Sequence, residues 1–440
     1  MGIKLMAIGG YSEVGKNMTA LDIDGEIIIF DMGLYLPAIV GFEDEQENFS
    51  EEDLVNIGAI PNDRELAKNA HKVKAIILGH AHLDHIGAVT YLSKKYKNAS
   101  IIGTPYTINV LMRIAKDKGR KIHNKVKTLN VGSSLKISKN VTVEFFNVTH
   151  STINCALIVL HTNYGDVVYS LDFKLDNNPV IGKKMDYEKL KKLNVNTLIL
   201  DSLYSREEGK TPSEKVAHEM LRDVLLGVKN EKNAIVITTF SSHIARLKSI
   251  IEQGKLLKRK IVFLGRSLNR YVRAAEDTKF VKFSDKVEIV GYSSKVRKKL
   301  NQIMEEGVEK YIIVCTGNQA EPKSVLTKMA NGEFKFKFNK GDIVIFSCRT
   351  IPVEENIKNR EKLENKLTHL GCRLFKNVHV SGHAYKEDER DLINLLKPKK
   401  IIPGHGGKNI TSPAGELGKE IGYTLGKNIF ILKDGDILEL

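Results

Sequence analysis

The sequence predicts an α/β protein in which one domain is inserted into another, and three observations carry this. The 440 residues, 42% of them apolar, exceed what a single hydrophobic core usually supports. The opening stretch alternates short apolar runs with turns, as a β meander does, whereas the block 206–373 repeats strand-then-helix units that imply a parallel sheet covered by helices. Histidines at strand ends occur on both sides of that block, so the chain returns to its first domain afterwards. The expected division is 1–205, the insert 206–373, and 374–440.

Taken in order, 3–8, 18–23 and 26–30 read as strands, the last two joined by a turn at Asp24-Gly25. The third ends in Asp31-Met32-Gly33, a carboxylate at a strand terminus. Residues 43–53, EDEQENFSEED, form an acidic run without periodicity and read as a solvated surface loop. His71, in the amphipathic piece that follows, reads as a surface residue. The run 75–78 is apolar, too short for a free-standing helix and bounded by Gly79, hence a buried strand.

Four side chains able to bind metal follow it at once, in the string HAHLDH. His80 and His82, two apart, can point the same way from extended chain. Asp84 and His85 stand where Ile86, Gly87 and Ala88 open a helix running to about Lys97. One turn can thus present two ligand sets. Neutral imidazole and carboxylate are ligands that suit zinc, and a catalytic site keeps a position for water. Further strands are read at 100–103, at 141–148 before His150, at 166–171 before Asp172, and at 195–200 before Asp201. Within the insert the apolar runs are 234–238, 260–264, 311–315 and 342–346. Beyond it, HVSGHAYKEDERD and KKIIPGHGG bring His379, His383 and His405, and KDGDILEL reads as a closing hairpin.

A net charge of +15 is the footprint of a polyanion partner, although lysines also simply solvate a surface. The four cysteines are scattered without a CxxC pair, which argues against a disulfide framework or a zinc ribbon and fits a reducing cytoplasm. No signal pattern and no apolar run near the roughly 18 residues of a membrane span occurs, so neither secretion nor membrane insertion is expected.

HxHxDH after an apolar strand resembles the signature of the metallo-beta-lactamase superfamily, which implies an αββα sandwich. Asp31 matches that superfamily's first motif, a group that orients the histidine loop, and His150 and Asp172 match its third and fourth. An insert with an acidic residue before it and two histidines after it resembles the beta-CASP nucleases, with Asp201, His383 and His405 at motifs A, B and C. The strings GKNMTALDIDG, HAHLDHIGAVTYL, CTGNQAEPKSVL and HVSGHAYKED look like the ribonuclease J family over nearly the whole chain, in its shorter archaeal form. The motif A neighbourhood, DSLYS, departs from the family's pattern, and only its acidic residue carries over.

The resemblance implies two divalent ions, zinc first with manganese or magnesium as alternatives. His80, His82 and His150 would hold one, Asp84, His85 and His405 the other, and Asp172 both. Asp84 would also orient the attacking water, and His383 paired with Asp201 would protonate the departing 3' oxygen. The implied activity is RNA cleavage, chiefly 5'-to-3' with release of 5' mononucleotides and sometimes internal. A pocket for the 5' phosphate would draw on Ser381, His379 and the amides near Gly317, with Ser241 and Ser242 at an expected helix start. Single-stranded RNA is the expected partner, single-stranded DNA the second candidate, and the assembly a homodimer. Two rivals stand beside this reading: a hydrolase of a small ester or thioester, which leaves the insert and the charge unused, and an inactive RNA-binding scaffold, against which the intact ligands argue. RNA against DNA, exonuclease against endonuclease, metal identity and oligomeric state stay open at this level.

Overall fold

A computed structural model describes residues 2–39, 49–170, 172–351 and 353–440. The chain forms two compact units: Met1–Asn177 with Gly182–Thr211 and Gly382–Leu440, and Asn178–Ile181 with Pro212–Ser381. The inserted unit's last strand, Arg373–Phe375, pairs with Ile343–Phe346, so its sheet continues past the junction expected at 373.

The first unit contains two sheets. The seven-stranded one runs Ile437–Glu439, Ile3–Gly9, Met18–Ile23, Glu26–Phe30, Val73–Leu78, Ser100–Gly103, Val126–Thr128. The six-stranded one runs Lys400–Gly404, Val195–Asp201, Gly165–Tyr169, Cys155–Thr162, Thr142–Val148, Ser134–Lys136. Alternation along the strands builds the layers. Ala156, Ile158 and Leu160 face Ile28, Phe30 and Ile77 of the other sheet. Their neighbours Leu157 and Val159 pack outward with Leu392 and Leu396 of the helix Lys386–Leu396 and with Leu417 of the helix Lys408–Glu420. Because both faces of these strands are covered, they read as continuous apolar runs.

The second unit is one sheet in the order Glu288–Val290, Lys260–Leu264, Tyr311–Cys315, Ile235–Thr238, Ile343–Phe346, Arg373–Phe375, every pair parallel. Its own core is formed by Val236, Val262, Ile313 and Val344 with helix residues such as Leu300, Leu326 and Leu367. This is the parallel α/β insert that the sequence predicts.

Three local expectations are corrected. The acidic run is not loop throughout: Ser50 and Asp53 form a reciprocal capping box that starts a helix at Glu51–Asn56, while residues 43–48 lie outside the described part. The helix expected over 86–97 is broken into Leu83–Ile86, Val89–Leu92 and the turn Ser93–Lys95. Its ladder is interrupted because Asp84 O accepts from Asn17 N and Ala88 N donates to Met32 O, each at 2.9 Å, so both groups bond to other loops. The C-terminal segment makes no local hairpin; Ile437–Glu439 joins the first strand, antiparallel. The strand before Asp172 is Gly165–Tyr169, and Leu171 lies outside the described residues. His71 is exposed, as read. Among the described residues no helix is long and apolar enough to cross a membrane.

Candidate metal centre

The centre is assembled in the first unit where three loops interlock. Asn17 N donates to Asp84 O (2.9 Å), Met32 N to His85 O (2.8 Å), Gly33 N to Asn17 O (2.9 Å) and Leu34 N to Leu83 O (2.9 Å). A Cβ on Gly33 would stand 1.6 Å from Asp84 O, so only glycine allows this approach. His82 caps the short helix Leu83–Ile86, which places Asp84 and His85 inside the helix rather than ahead of it. Asp31 and His405 hold left-handed backbone, φ 59° and 65°. Strain of that kind in non-glycine residues concentrates at functional sites.

Two ligand sets converge. In the first, His80 Nε2 lies 3.0 Å from His82 Nδ1 and 3.3 Å from Asp172 Oδ2, while His150 Nε2 lies 3.1 Å from His82 Nδ1 and 3.5 Å from Asp172 Oδ2. In the second, His85 Nε2 is 3.3 Å from Asp172 Oδ1 and 3.5 Å from Asp84 Oδ2, and His405 reaches Asp172 Oδ1 with Nδ1 (3.1 Å) and Asp84 Oδ2 with Nε2 (3.6 Å). The atoms of each set lie within 4.8 Å of one another. Metal–ligand bonds of about 2.0–2.1 Å in a tetrahedron give ligand–ligand edges of about 3.3 Å, which these spacings match.

The proton positions support the same conclusion. His150 Nδ1 donates to Gly382 O (2.7 Å), so the Nε2 of the neutral ring carries a lone pair. Burial, the largest influence, pushes His80, His82 and His150 below the ordinary imidazole value, which favours the neutral rings that ligate metal. Asp172 Oδ1, buried, has no hydrogen-bond partner among the described residues. Such a cluster is costly without a cation at its middle. Burial also opposes the charge on His85 and His405, but the Asp172 carboxylate outweighs it, helped by Asp84, and holds His405 at about 9 and His85 well above its usual range. The field that retains those protons equally favours divalent ions. The residues present therefore fit two metals with Asp172 shared.

Asp31 lies behind His85: its Oδ2 accepts from His85 Nδ1 (2.7 Å) and from Tyr169 Oη (3.0 Å), and its Oδ1 from Gly79 N (3.2 Å). A carboxylate so placed fixes the ring's tautomer and strengthens the other nitrogen as a ligand. His383 stands beside the ligands with Nδ1 2.8 Å from Asp201 Oδ2 and Nε2 3.9 Å from Asp172 Oδ2. Burial disfavours its charge, yet Asp201 and then Asp172 raise its proton affinity.

The five phosphate candidates all lie in the second unit, past the C-terminal ends of parallel strands. Ser241 and Ser242 follow Ile235–Thr238, Gly317 follows its neighbour Tyr311–Cys315, and His379 and Ser381 follow Arg373–Phe375. Ligands of open α/β sheets bind at such ends. The helix after the serines begins at Ile244 and is capped by His243, so neither serine is its cap. Ser241 Oγ instead bonds Ser267 Oγ (2.8 Å). His379 Nδ1 lies 3.4 Å from the fully buried Arg246, whose guanidinium is gripped by Glu214 through two contacts of 2.6 and 2.9 Å and donates to Ser347 O (2.9 Å) and Val378 O (3.2 Å).

Sequence reading missed Asn17, whose Nδ2 lies 3.1 Å from both Asp84 O and His85 Nε2, and Tyr169 behind Asp31. The only signal for Asn17 was its place in GKNMTALDIDG; Tyr169 had none.

Comparison with known proteins places the chain among metallo-beta-lactamase-type hydrolases. The family described as beta-lactamase superfamily domain matches residues 57–214, ribonuclease J beta-CASP domain matches 232–367, and Zn-dependent metallo-hydrolase RNA specificity domain matches 369–432. Ribonuclease J of Methanocaldococcus jannaschii is 45% identical over 100% of this chain and 99% of its own length, and that of Pyrococcus abyssi 42% over 100% and 97%. Ribonuclease J2 of Bacillus subtilis is 29% identical over 99% of this chain and 75% of its own. A solved structure of a protein of unknown function from Enterococcus faecalis V583 aligns over 100% of both chains with a TM-score of 0.67 at 16% identity, which speaks for the fold alone.

Proposed function

The chain belongs to the ribonuclease J family, and on that premise we propose that it hydrolyses RNA phosphodiester bonds chiefly from the 5' end, releasing 5' mononucleotides, with internal cleavage as a secondary activity. The observation that carries the reading is the pair of ligand sets joined through Asp172. Two divalent ions bound there, zinc before manganese or magnesium, would supply an acidified water and neutralise charge at the phosphate.

The chain's own groups do the rest. His80, His82 and His150 would hold one ion and Asp84, His85 and His405 the other. Asp84 also offers a carboxylate oxygen to orient the attacking water. His383, its Nδ1 proton given to Asp201, keeps an Nε2 proton for the departing 3' oxygen. His379, Ser381, Ser241, Ser242 and the amides near Gly317 are the candidate grip for a 5' phosphate. A monophosphate would profit most, because a hydroxyl end forfeits charge-assisted bonds and a triphosphate adds bulk. Single-stranded RNA is the proposed substrate, to be compared with single-stranded DNA, and a cytoplasmic homodimer the proposed state.

The test is a time course on end-labelled RNA and DNA bearing monophosphate, triphosphate or hydroxyl 5' ends, with and without chelator. Mononucleotides appearing first from the monophosphate RNA support the reading. Equal rates on all ends with internal fragments first would replace it with an endonuclease, and ester hydrolysis without nucleic-acid cleavage would end it.

A further inference from the structure

Glu389 belongs to the first turn of the helix Lys386–Leu396, whose cap Tyr385 closely follows His383. Its side chain is fully buried, yet among the described residues its two carboxyl oxygens meet one hydrogen-bonding group, the hydroxyl of Ser205, at 2.7 and 2.9 Å. Ser205 Oγ also lies 2.9 Å from Ser202 O. A hydroxyl carries one proton, and because Ser202 O also accepts from Ser205 N (3.2 Å), that proton can go to Glu389, but to one carboxyl oxygen only. An ionised carboxylate would bury its charge with a single neutral donor and no cation among its described partners, whereas a protonated carboxyl can exchange hydrogen bonds with the one hydroxyl it meets. The surroundings agree: burial pushes this carboxyl well above the ordinary range, Ser205 opposes the shift, and the nearby Asp201 and Asp388 add to it.

What this contact grips is the turn that presents Asp201. Within it, Asp201 Oδ1 accepts from Leu203 N (3.1 Å), and Ser202 Oγ donates to Gly404 O (2.6 Å), the residue before His405. Tyr204 pairs with Tyr385 as an isolated parallel bridge. One buried connection therefore joins the helix that follows His383, the turn that carries Asp201 and the strand end that carries His405.

We propose that Glu389 is a positioning residue that works as a neutral carboxylic acid, fastening through Ser205 the three segments that carry His383, Asp201 and His405. It rests on the reading of His383 and Asp201 as the proton-donating pair. The metal-loaded protein is compared with Glu389→Gln and Glu389→Ala. Glutamine keeps an N–H donor for Ser205 and should retain kcat, whereas alanine should lower kcat about tenfold at unchanged KM and metal content, the scale of one lost positioning bond. The imidazole NMR signals of His383 should move in Glu389→Ala and not in Glu389→Gln. The infrared carbonyl band of a protonated carboxyl should be present in wild type at neutral pH and absent from Glu389→Gln. Glutamine as damaging as alanine, or no such band, would overturn the proposal. If Glu389→Ala does not fold, the glutamine variant and the infrared band still decide. If the wild type leaves RNA intact, the functional reading fails while the band and the His383 signals still judge Glu389.

Discussion

Asp31→Asn probes how the second metal set is held, without touching a ligand. Asp31 is fully buried and serves three donors, Gly79 N through one oxygen, His85 Nδ1 and Tyr169 Oη through the other. Asparagine has a single acceptor oxygen. If that oxygen faces His85 and Tyr169, its NH2 confronts the Gly79 N–H. If it faces Gly79, the NH2 confronts His85 Nδ1 and drives the ring to the tautomer whose Nε2 carries the proton and cannot ligate. Either way the charge behind His85 is gone. Loss of such a supporting group typically costs 10–100-fold in metal affinity, about 1.4–2.7 kcal/mol. His85 serves only the second set, so titration against a competing chelator should show one of two equivalents weakened by about that factor and the other nearly unchanged. Wild-type affinity for both equivalents, or equal weakening of both, would refute the assignment of Asp31 to His85.

His383→Ala should keep both metal equivalents and lower kcat by roughly 10²–10⁴, the usual worth of a positioned proton donor; metal content falling in step with activity would make His383 a ligand instead. His82→Ala removes Nδ1 from the centre of the first set and should abolish hydrolysis, while gel-shift affinity for RNA persists and falls steeply with salt, because phosphate contacts need no metal. Glu214→Gln leaves Arg246 buried without its counter-charge and should cost about 3–5 kcal/mol in urea unfolding at neutral pH. Burial works against the Glu214 charge, but Arg246 and His243 outweigh it and hold the carboxyl well below its ordinary value. Its stabilisation is thus complete above the unfolded value near ~4.3 and lost as pH falls through the lower folded one. Unfolding curves repeated down that acid range should converge for wild type and variant.

How much of this was legible depends on where each signal lies. The ligands of the histidine loop could be read because they crowd into one short string after an apolar run, and strands such as Lys260–Leu264 and Tyr311–Cys315 because both their faces are buried. The break in the helix after His85 could not be read, since its cause is two hydrogen bonds to Asn17 and Met32, far away in sequence. Tyr169, Ser205 and Glu389 carry no local mark; their roles exist only once the strand, turn and helix have met. The capping box at Ser50 was local and readable, and the acidic composition around it masked it.

The insertion of the second unit sets an order in time. As the chain is made, everything needed for the first metal set is present once Asp172 has emerged, but the second set waits for His405, about 230 residues later, an interval on the order of ten to fifty seconds at roughly 5–20 residues per second. During that interval the strand Val195–Asp201 lacks its neighbour Lys400–Gly404, and Ile3–Gly9 lacks Ile437–Glu439. Each of these late strands ends as the outermost member of its sheet. The nascent chain therefore exposes the edges of Val195–Asp201 and Ile3–Gly9, the kind of surface on which polypeptides associate wrongly, until the segment from residue 400 onward pairs with them. Ribosome-bound intermediates halted before residue 400 should be the aggregation-prone species of this protein.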